Sequence, residues 1–258
     1  MRTSNPSEVS ASGRISVQSP LPAGSKYWTA AEDRQRAVNT LFDRAADHYD
    51  RACDLMSFGS GQKYRRDALQ RAGLRPGMTV LDVGTGTGLL AREIATLLGT
   101  SGRVIGVDPS ARMLIAGGRH LHGRCVRGLG ERLPFATAQF DFVTMGYALR
   151  HVPDLDQTFA EYARVLKPYG RLLLLEITRP ASAIGRLLAR LYFGGVVPVL
   201  SRLGTGSTDA ARLMSFYWDT IDRCVPPEAI LASLRRTGFT AERTVVNGIF
   251  SEYGGRRA

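Results

Sequence analysis

Two carboxylates and a glycine-rich turn are the groups in this sequence whose types and spacing could do chemistry. Asp82 stands in an apolar, β-branched run and is followed by Gly84, Gly86 and Gly88, and Asp108 ends the next apolar run. A buried strand that enters a tight glycine turn and then a helix leaves backbone N–H groups free at the helix start. We therefore expect a ligand to lie across two neighbouring strand ends.

The spacing also indicates which ligand this is. A dinucleotide fingerprint that starts at Gly84 needs a third glycine where this chain has Leu89. Asp82 would repel a pyrophosphate but attract an ammonium group, and Asp108 is placed to take two ribose hydroxyls. A ligand with a cationic amino-acid end and a nucleoside end satisfies both carboxylates, and S-adenosylmethionine is such a molecule. The alternative is a structural βα turn without a ligand.

The elements that must position these groups alternate between strand and helix, which predicts an α/β fold with a largely parallel sheet. Apolar runs predict strands at 79–83, 103–107, around Cys125, 140–145, 172–175, 241–246 and 249–253. Helical spacing predicts helices at 27–49, 89–98, from Ser110 onward, 153–166 and 227–237. Asp141, at the start of the fourth strand, is read either as a ligand or as a cap of nearby N–H groups.

Length and composition limit the classes of protein. A chain of 258 residues suits one α/β domain with additions. The net charge of +11 lies mostly outside residues 79–178, and the cations are not clustered among aromatic residues, which disfavours a nucleic-acid partner. The three cysteines have neither metal-ligand nor disulfide spacing, so we expect no metal and a reducing cytoplasm.

Two regions flank the predicted core. Residues 1–26 are rich in Ser, Pro and Gly and are interpreted as a disordered leader, with a transit peptide as the alternative. The domain then covers 27–258, with an N-terminal helical cap at 27–75 and a helical lid at 181–225. Glycines and a proline within 183–203 predict two short amphipathic helices there, and no apolar run long enough to span a membrane.

Several motifs together resemble the ubiquinone/menaquinone C-methyltransferase family (UbiE/MenG type) of class I S-adenosylmethionine enzymes. The matching segments are Tyr49-Asp50, DLMSFG at 54–59, DVGTGTG at 82–88, VDPSARML at 107–114, ERLPF at 131–135, FDFVTMGYALRHVPD at 140–154, RVLKPYGRLLLLE at 164–176, YWDTI at 217–221 and Gly238-Phe239. The resemblance implies a Rossmann-like class I methyltransferase fold with a seven-stranded, mostly parallel sheet, helices on both faces and an added lid.

This resemblance also implies a set of cofactor contacts. The methionine end is assigned to Asp82 and the glycine loop, the ribose to Asp108, and the adenine to Met113 or Leu129. The full set of expected cofactor residues is Asp82, Gly84, Thr85, Gly86, Gly88, Asp108, Pro109, Met113, Leu129, Gly130, Glu131 and Met145.

The acceptor side departs from the family at two positions. Cys53 replaces an Asn, and Arg150-His151 replaces an Arg-Asn pair; Leu129 replaces an acidic or amide residue that faces the adenine. Methylation of a quinol ring carbon requires a neighbouring hydroxyl to lose its proton. We predict that Arg150 stabilises the phenolate and that His151, with a pKa near neutral, accepts the proton, with Tyr49 beside them.

The leading functional hypothesis is therefore transfer of a methyl group to carbon of a lipophilic quinol or phenol. N-methylation of a phospholipid head group or another amine, and a non-catalytic scaffold that binds the cofactor, are the alternatives. The apolar residues and arginines of 183–203 would suit peripheral contact with the inner membrane face. Packing of this segment on the domain itself, or a homodimer contact, explains the same pattern.

Overall fold

A computed structural model describes residues 26–28, 30, 33–121 and 123–258, so the predicted leader lies outside the described residues except for its last one. The described chain contains a seven-stranded sheet in the order β3-β2-β1-β4-β5-β7-β6. Neighbouring strands are parallel except where β7 pairs antiparallel with β5 and β6. The strands are β1 (Thr79–Val83), β2 (Arg103–Asp108), β3 (Cys125–Arg127), β4 (Phe140–Gly146), β5 (Leu166–Ile177), β6 (Phe239–Val246) and β7 (Phe250–Arg257).

Helices cover both faces of this sheet, which confirms the predicted fold class. Strand β1 shows why: Leu81 belongs to the apolar cluster of one face, and Val80 to the cluster of the other. A strand covered on both sides has to be apolar at successive positions. The helices are α1 (Arg34–Ala45), α2 (Tyr49–Ser57), α3 (Gly61–Arg71), α4 (Leu89–Leu98), α5 (Ala111–Leu121), α6 (Leu155–Val165), α7 (Ala183–Leu191), α8 (Val197–Thr205), α9 (Thr208–Asp222) and α10 (Pro227–Arg236).

Strand register brings the chemically interesting residues to one edge of the sheet. Asp82 pairs in register with Gly106 of β2 and with Thr144 of β4. Parallel strands end at the same edge, so the turn after β1, the turn after β2 and the segment after β4 meet there.

Some predicted boundaries were wrong. The helix predicted at 27–49 is α1 followed by a short 3₁₀ turn, after which α2 begins at Tyr49. The strand predicted at 172–175 is longer, because β5 already begins at Leu166, directly after α6, and Tyr169 within it has a positive φ of 62°. Asp154 caps α6, since its side chain accepts a hydrogen bond from the Gln157 N–H.

The lid helices form one continuous helical segment, Ala183–Thr205, which we call the lid rod; the prediction of two separate short helices was wrong. A π-helical turn, Tyr192–Val196, takes up both glycines and joins α7 to α8. Pro198 follows this π-helical turn directly, in the first turn of α8. The lid rod has 23 residues, and its most apolar 18-residue stretch has a mean hydropathy of 1.4, so by length and composition it could cross a membrane, contrary to expectation.

One narrow stripe of the lid rod faces the protein. Ala189, Phe193, Val197 and Ser201, each four residues apart, are buried. Ala189, Phe193 and Val197 pack in an apolar cluster that contains residues of α1 and α9. The predicted boundaries of the cap at 27–75 and the lid at 181–225 stay predictions.

Candidate active site

The turn after β1 is held in a conformation that favours glycine. The φ angles are +66° at Gly84, +56° at Gly86 and +84° at Gly88, in the left-handed region where a Cβ is strained. Helix α5 approaches this turn so closely that a Cβ added at Gly117 would lie 2.9 Å from the carbonyl oxygen of Gly86. The turn therefore presents backbone, rather than side chains, to a ligand.

Asp82 is a buried carboxylate held by two hydroxyl groups. The side chains of Thr85 and Thr144 donate to it over 2.8 Å and 2.6 Å. Burial raises the pKa of Asp82 to about 6, against the opposing effect of these hydrogen bonds. A carboxylate that has been taken out of water in this way is stabilised by an incoming cation.

Asp108 is the second buried carboxylate, at the end of β2. It accepts hydrogen bonds from the N–H groups of Gly86, at 2.9 Å, and Ser110, at 2.8 Å. Burial raises its pKa to about 6 as well. These bonds fix the glycine turn and the start of α5 to one side chain, as expected of a carboxylate that holds ribose hydroxyls between two loops.

A cavity lies over these strand ends, and we call it the cofactor cavity. The expected residues that line it are Tyr49, Asp82, Gly84, Thr85, Gly86, Asp108, Pro109, Met113 and His151. Its walls combine two buried carboxylates, which accept hydrogen bonds, with a glycine turn, an arrangement that fits the ammonium group and the ribose hydroxyls of S-adenosylmethionine.

The remaining expected cofactor residues lie outside this wall. The Met145 side chain is buried in the core and accepts a hydrogen bond from Tyr162, and Leu129 is 37 % exposed. Gly88 begins α4, and Gly130 and Glu131 lie in the loop before β4. Cofactor contacts by all twelve expected residues stay predictions.

Sequence reasoning missed a set of acidic residues on the N-terminal helices. Asp43 accepts a hydrogen bond from the hydroxyl group of Ser110, and Asp50 accepts one from the hydroxyl group of Thr87 in the glycine turn. Together they attach α1 and α2 to the loops of the cofactor cavity. Asp50 is part of a family motif, so that motif could have identified it; no pattern in the sequence singles out Asp43.

A second cavity, of about 390 Å³, adjoins the first, and we call it the acceptor cavity. Tyr49, Arg65, Tyr147 and Tyr217 line both cavities. The hydroxyl groups of Tyr49 and Tyr217 lie 2.7 Å apart. Burial raises the pKa of Tyr49 well above its usual value, so at neutral pH this side chain is a hydrogen-bond donor and not a base.

The wall of the acceptor cavity is largely aromatic and apolar. Besides the shared tyrosines, the apolar or aromatic lining residues are Met56, Phe58, Tyr64, Ile177, Tyr192, Phe193, Val246, Ile249 and Phe250. Cys53, which replaces the family's Asn, is buried in this wall, and burial raises the pKa of its thiol to about 11. The thiol is therefore protonated and unreactive at neutral pH.

Arg150 lies in the acceptor cavity wall, but its charge is already compensated. It is fully buried, forms an ion pair with Glu176, and donates from Nε to the Thr220 hydroxyl over 2.9 Å. Its guanidinium also lies 4.9 Å from the centre of the Tyr217 ring. A role for Arg150 at the phenolate stays a prediction.

His151 does not have the near-neutral pKa that was predicted. Its ring stacks on Phe216 at 5.3 Å and meets Phe42 edge to face at 5.6 Å. Burial, with the positive charges of Arg150 and Arg34 nearby, lowers the pKa of His151 well below its usual value. The ring is therefore neutral across the physiological pH range; its role as a base stays a prediction.

Asp141 is the cap of a neighbouring strand and no part of either cavity. It accepts hydrogen bonds from the Thr79 N–H, at 2.8 Å, and from Lys167, at 2.7 Å, at the edge opposite Asp82. Within the residues that the structure describes, no group of three or more His, Cys, Asp and Glu side chains is placed to hold a metal ion.

Comparisons with known proteins agree with this site. The model of the ubiE/COQ5 methyltransferase family matches residues 29–247. The chain is 30% identical over 237 residues to the demethylmenaquinone methyltransferase of Desulfitobacterium hafniense, across 88% of this chain and 92% of that protein. It is 35% identical over 190 residues to the ubiquinone/menaquinone biosynthesis C-methyltransferase UbiE of Hahella chejuensis, across 71% of this chain and 76% of that protein.

Solved structures share the fold. A SAM-dependent methyltransferase from Aquifex aeolicus superposes with a TM-score of 0.57 at 15% identity, over 80% of this chain and 98% of that one. The phosphoethanolamine N-methyltransferase 2 of Haemonchus contortus, in complex with S-adenosyl-L-methionine, superposes with a TM-score of 0.56 at 17% identity. The match covers 87% of this chain and 58% of that one. With the buried carboxylates and the glycine turn, these findings confirm the cofactor: the chain belongs to the ubiE/COQ5 methyltransferase family and is an S-adenosylmethionine-dependent methyltransferase.

Proposed function

We propose that the acceptor is a lipophilic quinol or related phenol, methylated on a ring carbon as a step of quinone biosynthesis. The observation that carries this proposal is the acceptor cavity, which is aromatic, about 390 Å³ in volume and continuous with the cofactor cavity through three tyrosines. A pocket of this size and polarity suits a planar ring. The family relatives named as ubiquinone, menaquinone or demethylmenaquinone methyltransferases support the same class of acceptor.

The chain's contribution to the reaction is mainly positioning and exclusion of water. When bound, S-adenosylmethionine supplies an electrophilic methyl carbon, and attack by the ring carbon breaks the carbon–sulfur bond with the electron pair left on sulfur. Tyr49 and Tyr217, both protonated, offer hydroxyl groups to the oxygen of the acceptor at the junction of the cavities. The aromatic wall holds the ring in place beside the cofactor cavity.

The direct test is incubation of the purified protein with S-adenosylmethionine that carries a labelled methyl group. Separate assays contain a demethylated polyprenyl naphthoquinol, a demethylated polyprenyl benzoquinol, or phosphatidylethanolamine. The expected result is label on a ring carbon of one of the quinols. Label on the amine alone, or on neither class of acceptor, would contradict the proposal.

We further propose that the exposed face of the lid rod docks on the membrane that holds such an acceptor. Seven of its large apolar side chains are between 45% and 77% exposed: Ile184, Leu187, Leu188, Leu191, Val196, Val199 and Leu203. Arg186, Arg190 and Arg202 interrupt this face and suit an anionic lipid surface. Only 17% of the most apolar stretch is buried in the protein.

The exposed apolar face of the lid rod reaches the acceptor cavity, and this continuity supports a lipid surface as the partner of that face. Tyr192 of the lid rod lines the acceptor cavity and donates to the carbonyl oxygen of Met56 over 2.6 Å. Phe58, 76% exposed, lies on the same rim with its ring 6.3 Å from that of Tyr192. The apolar face and the cavity thus meet at one rim, where a lipophilic acceptor can pass between them.

Vesicle flotation tests this docking. A variant with Leu187, Leu191 and Leu203 replaced by Ser should lose binding to vesicles that contain phosphatidylglycerol, and a variant with Arg186, Arg190 and Arg202 replaced by Gln should bind less at low salt. Val245→Ser, which changes an exposed residue of β6, is the matched control and should still bind. A homodimer that the Leu variant dissociates, with no vesicle binding by the wild type, would contradict the proposal.

A further inference from the structure

Arg65 is a buried arginine at the junction of the cofactor and acceptor cavities. It projects from α3, is only 8% exposed and lines both cavities. Its guanidinium carbon lies 5.9 Å from the centre of the Tyr147 ring, at the end of β4. Tyr147 has a positive φ of 60°, a strained conformation for a tyrosine. The junction therefore holds one positive charge in a fixed place.

Arg65 has no ion-pair partner within the described residues, and its charge acts without a direct contact on the Asp82 carboxyl, where burial raises the pKa and Arg65 lowers it. Helix α3 carries four cations, and the other three form ion pairs: Lys63 with Asp67, Arg66 with Glu93, and Arg71 with Glu252. No ion pair and no hydrogen bond from the guanidinium of Arg65 occurs within the part of the chain that the structure describes. Buried charges in proteins are normally paired, because burial of an isolated charge is costly.

Arg150, the second buried arginine of the described chain, shows the contrast. Its ion pair with Glu176 neutralises it before any acceptor enters. An arginine that is already paired attracts an incoming oxyanion far less than one without a partner. Nη2 of Arg150 has no hydrogen-bond partner either, so the two arginines differ in charge: Arg150 has its counter-ion, and Arg65 has no ion pair within the described residues.

We propose that Arg65 binds the ionised hydroxyl oxygen of the acceptor and stabilises the phenolate from which the methyl transfer proceeds. This inference rests on the proposed phenolic or quinol acceptor. The hydroxyl proton leaves to water, and the oxyanion accepts hydrogen bonds from Arg65. Its electron pair is delocalised to the neighbouring ring carbon, which bonds to the methyl carbon as the carbon–sulfur bond breaks. The ring carbon then loses its proton to water and becomes aromatic again.

The first experiment measures this stabilisation without turnover. 4-Nitrophenol, whose anion has its own visible absorbance, is titrated with pH while bound to protein saturated with S-adenosylhomocysteine. In the wild type we expect the pKa of the bound phenol to lie about 1 unit or more below its value in water, as for a group next to an opposite charge. Arg65→Gln should abolish this shift, and Arg65→Lys should keep part of it.

Arg75→Gln is the matched control, since it removes the same charge from an exposed position just after α3. Its phenol titration should equal that of the wild type. A shift that persists in Arg65→Gln would overturn the proposal. Thermal unfolding shows whether Arg65→Gln is folded. If it is not, the wild type and Arg65→Lys decide the question: absence of a pKa shift of the bound phenol in both would overturn the proposal equally.

Turnover gives the second measurement. With the acceptor that the labelling assay identifies, kcat of Arg65→Gln at pH 7 should fall about 100-fold, the size of effect seen when one oxyanion donor is removed. It should recover as pH rises, because solvent then ionises the hydroxyl. A low kcat that does not change with pH would contradict the role.

The two experiments separate this inference from the proposed function. If the wild type shifts the pKa of the phenol but methylates no quinol, the acceptor class is wrong and Arg65 still binds an oxyanion. If the wild type methylates a quinol and Arg65→Gln behaves as the wild type, the acceptor class holds and the role of Arg65 is wrong.

Discussion

The cofactor cavity and the acceptor cavity share a boundary but are built from different parts of the chain. The cofactor cavity lies on the ends of β1, β2 and β4, and its two carboxylates are hydrogen-bonded by hydroxyl and N–H groups. The acceptor cavity lies mainly between helices added to the sheet and is lined by two paired arginines, Arg71 and Arg150, and by Arg65, which has no ion pair within the described residues. Strand register fixes the first, whereas packing of added helices shapes the second.

The largest effect is expected at the buried ion pair of the acceptor cavity. Glu176→Ala leaves Arg150 as a buried charge without its counter-ion, which should lower the free energy of unfolding by about 3–5 kcal/mol. Urea unfolding measures this loss. Asp33→Ala, which breaks an exposed pair with Arg36, should change stability by less than about 1 kcal/mol. Equal losses in both variants would show that the pair does not support this cavity.

A change at Asp82 should act on the cofactor cavity alone. Asp82→Asn removes the charge that we predict to hold the cationic end of the cofactor, and binding of S-adenosylmethionine should weaken about 100-fold, equal to roughly 2.7 kcal/mol. Calorimetry gives the dissociation constant. Asp141→Asn, at the opposite edge of the sheet, is the control and should leave this constant unchanged. An unchanged constant in Asp82→Asn would refute the assignment.

The pH dependence of cofactor binding follows from the same carboxylates. Both have a pKa raised to about 6 in the free protein, and a bound cation lowers the pKa of the carboxylate that it contacts. Affinity is therefore full above pH 6 and is lost as pH falls through 6, by about tenfold per unit for each carboxylate that must ionise. Calorimetry between pH 5 and 8 should show this decline, with a shallower slope in Asp82→Asn.

A smaller effect is expected where the added helices meet the cofactor cavity. Asp50→Ala removes the carboxylate that holds Thr87, and S-adenosylmethionine should bind about tenfold more weakly, the loss expected for one hydrogen bond to a charged group. Asp47→Ala, which breaks only an exposed pair with Arg112, should bind within about twofold of the wild type. Steady-state KM and calorimetry both report this difference.

The smallest effect concerns His151. Because the ring is already neutral and packed between two phenylalanines, His151→Gln should lower kcat less than about threefold and shift no titration between pH 6 and 8. The pH profile of kcat decides this. Loss of an ionisation in that range would restore His151 as the base of the reaction.

The sequence predicted the cofactor cavity better than the acceptor cavity for a physical reason. Asp82 and Asp108 follow apolar runs, and in a parallel sheet such positions always meet at one edge, so local pattern was enough. The ion pair of Arg150 with Glu176 joins residues 26 positions apart, and Arg65 reaches the junction only through the packing of α3. No periodicity in a single sequence contains those contacts.

The prediction of two separate helices in the lid rod was wrong for a different reason. Two glycines and Pro198 read as helix breakers, yet a π-helical turn accommodates the glycines and the proline occupies a first-turn position. Helix propensity assigns a free-energy cost to each glycine and proline in an α-helix. It does not include the π-helical hydrogen-bonding pattern, which accommodates these residues without ending the helix. The low pKa of His151 likewise depends on neighbours contributed by α1 and α9.

Helix α2 belongs to both sites at once. Asp43 and Asp50 attach α1 and α2 to the loops of the cofactor cavity, while Tyr49, beside Asp50, also forms part of the acceptor cavity wall. Because adjacent residues of one helix contact the glycine turn and the acceptor wall, a displacement of α2 would change both walls together.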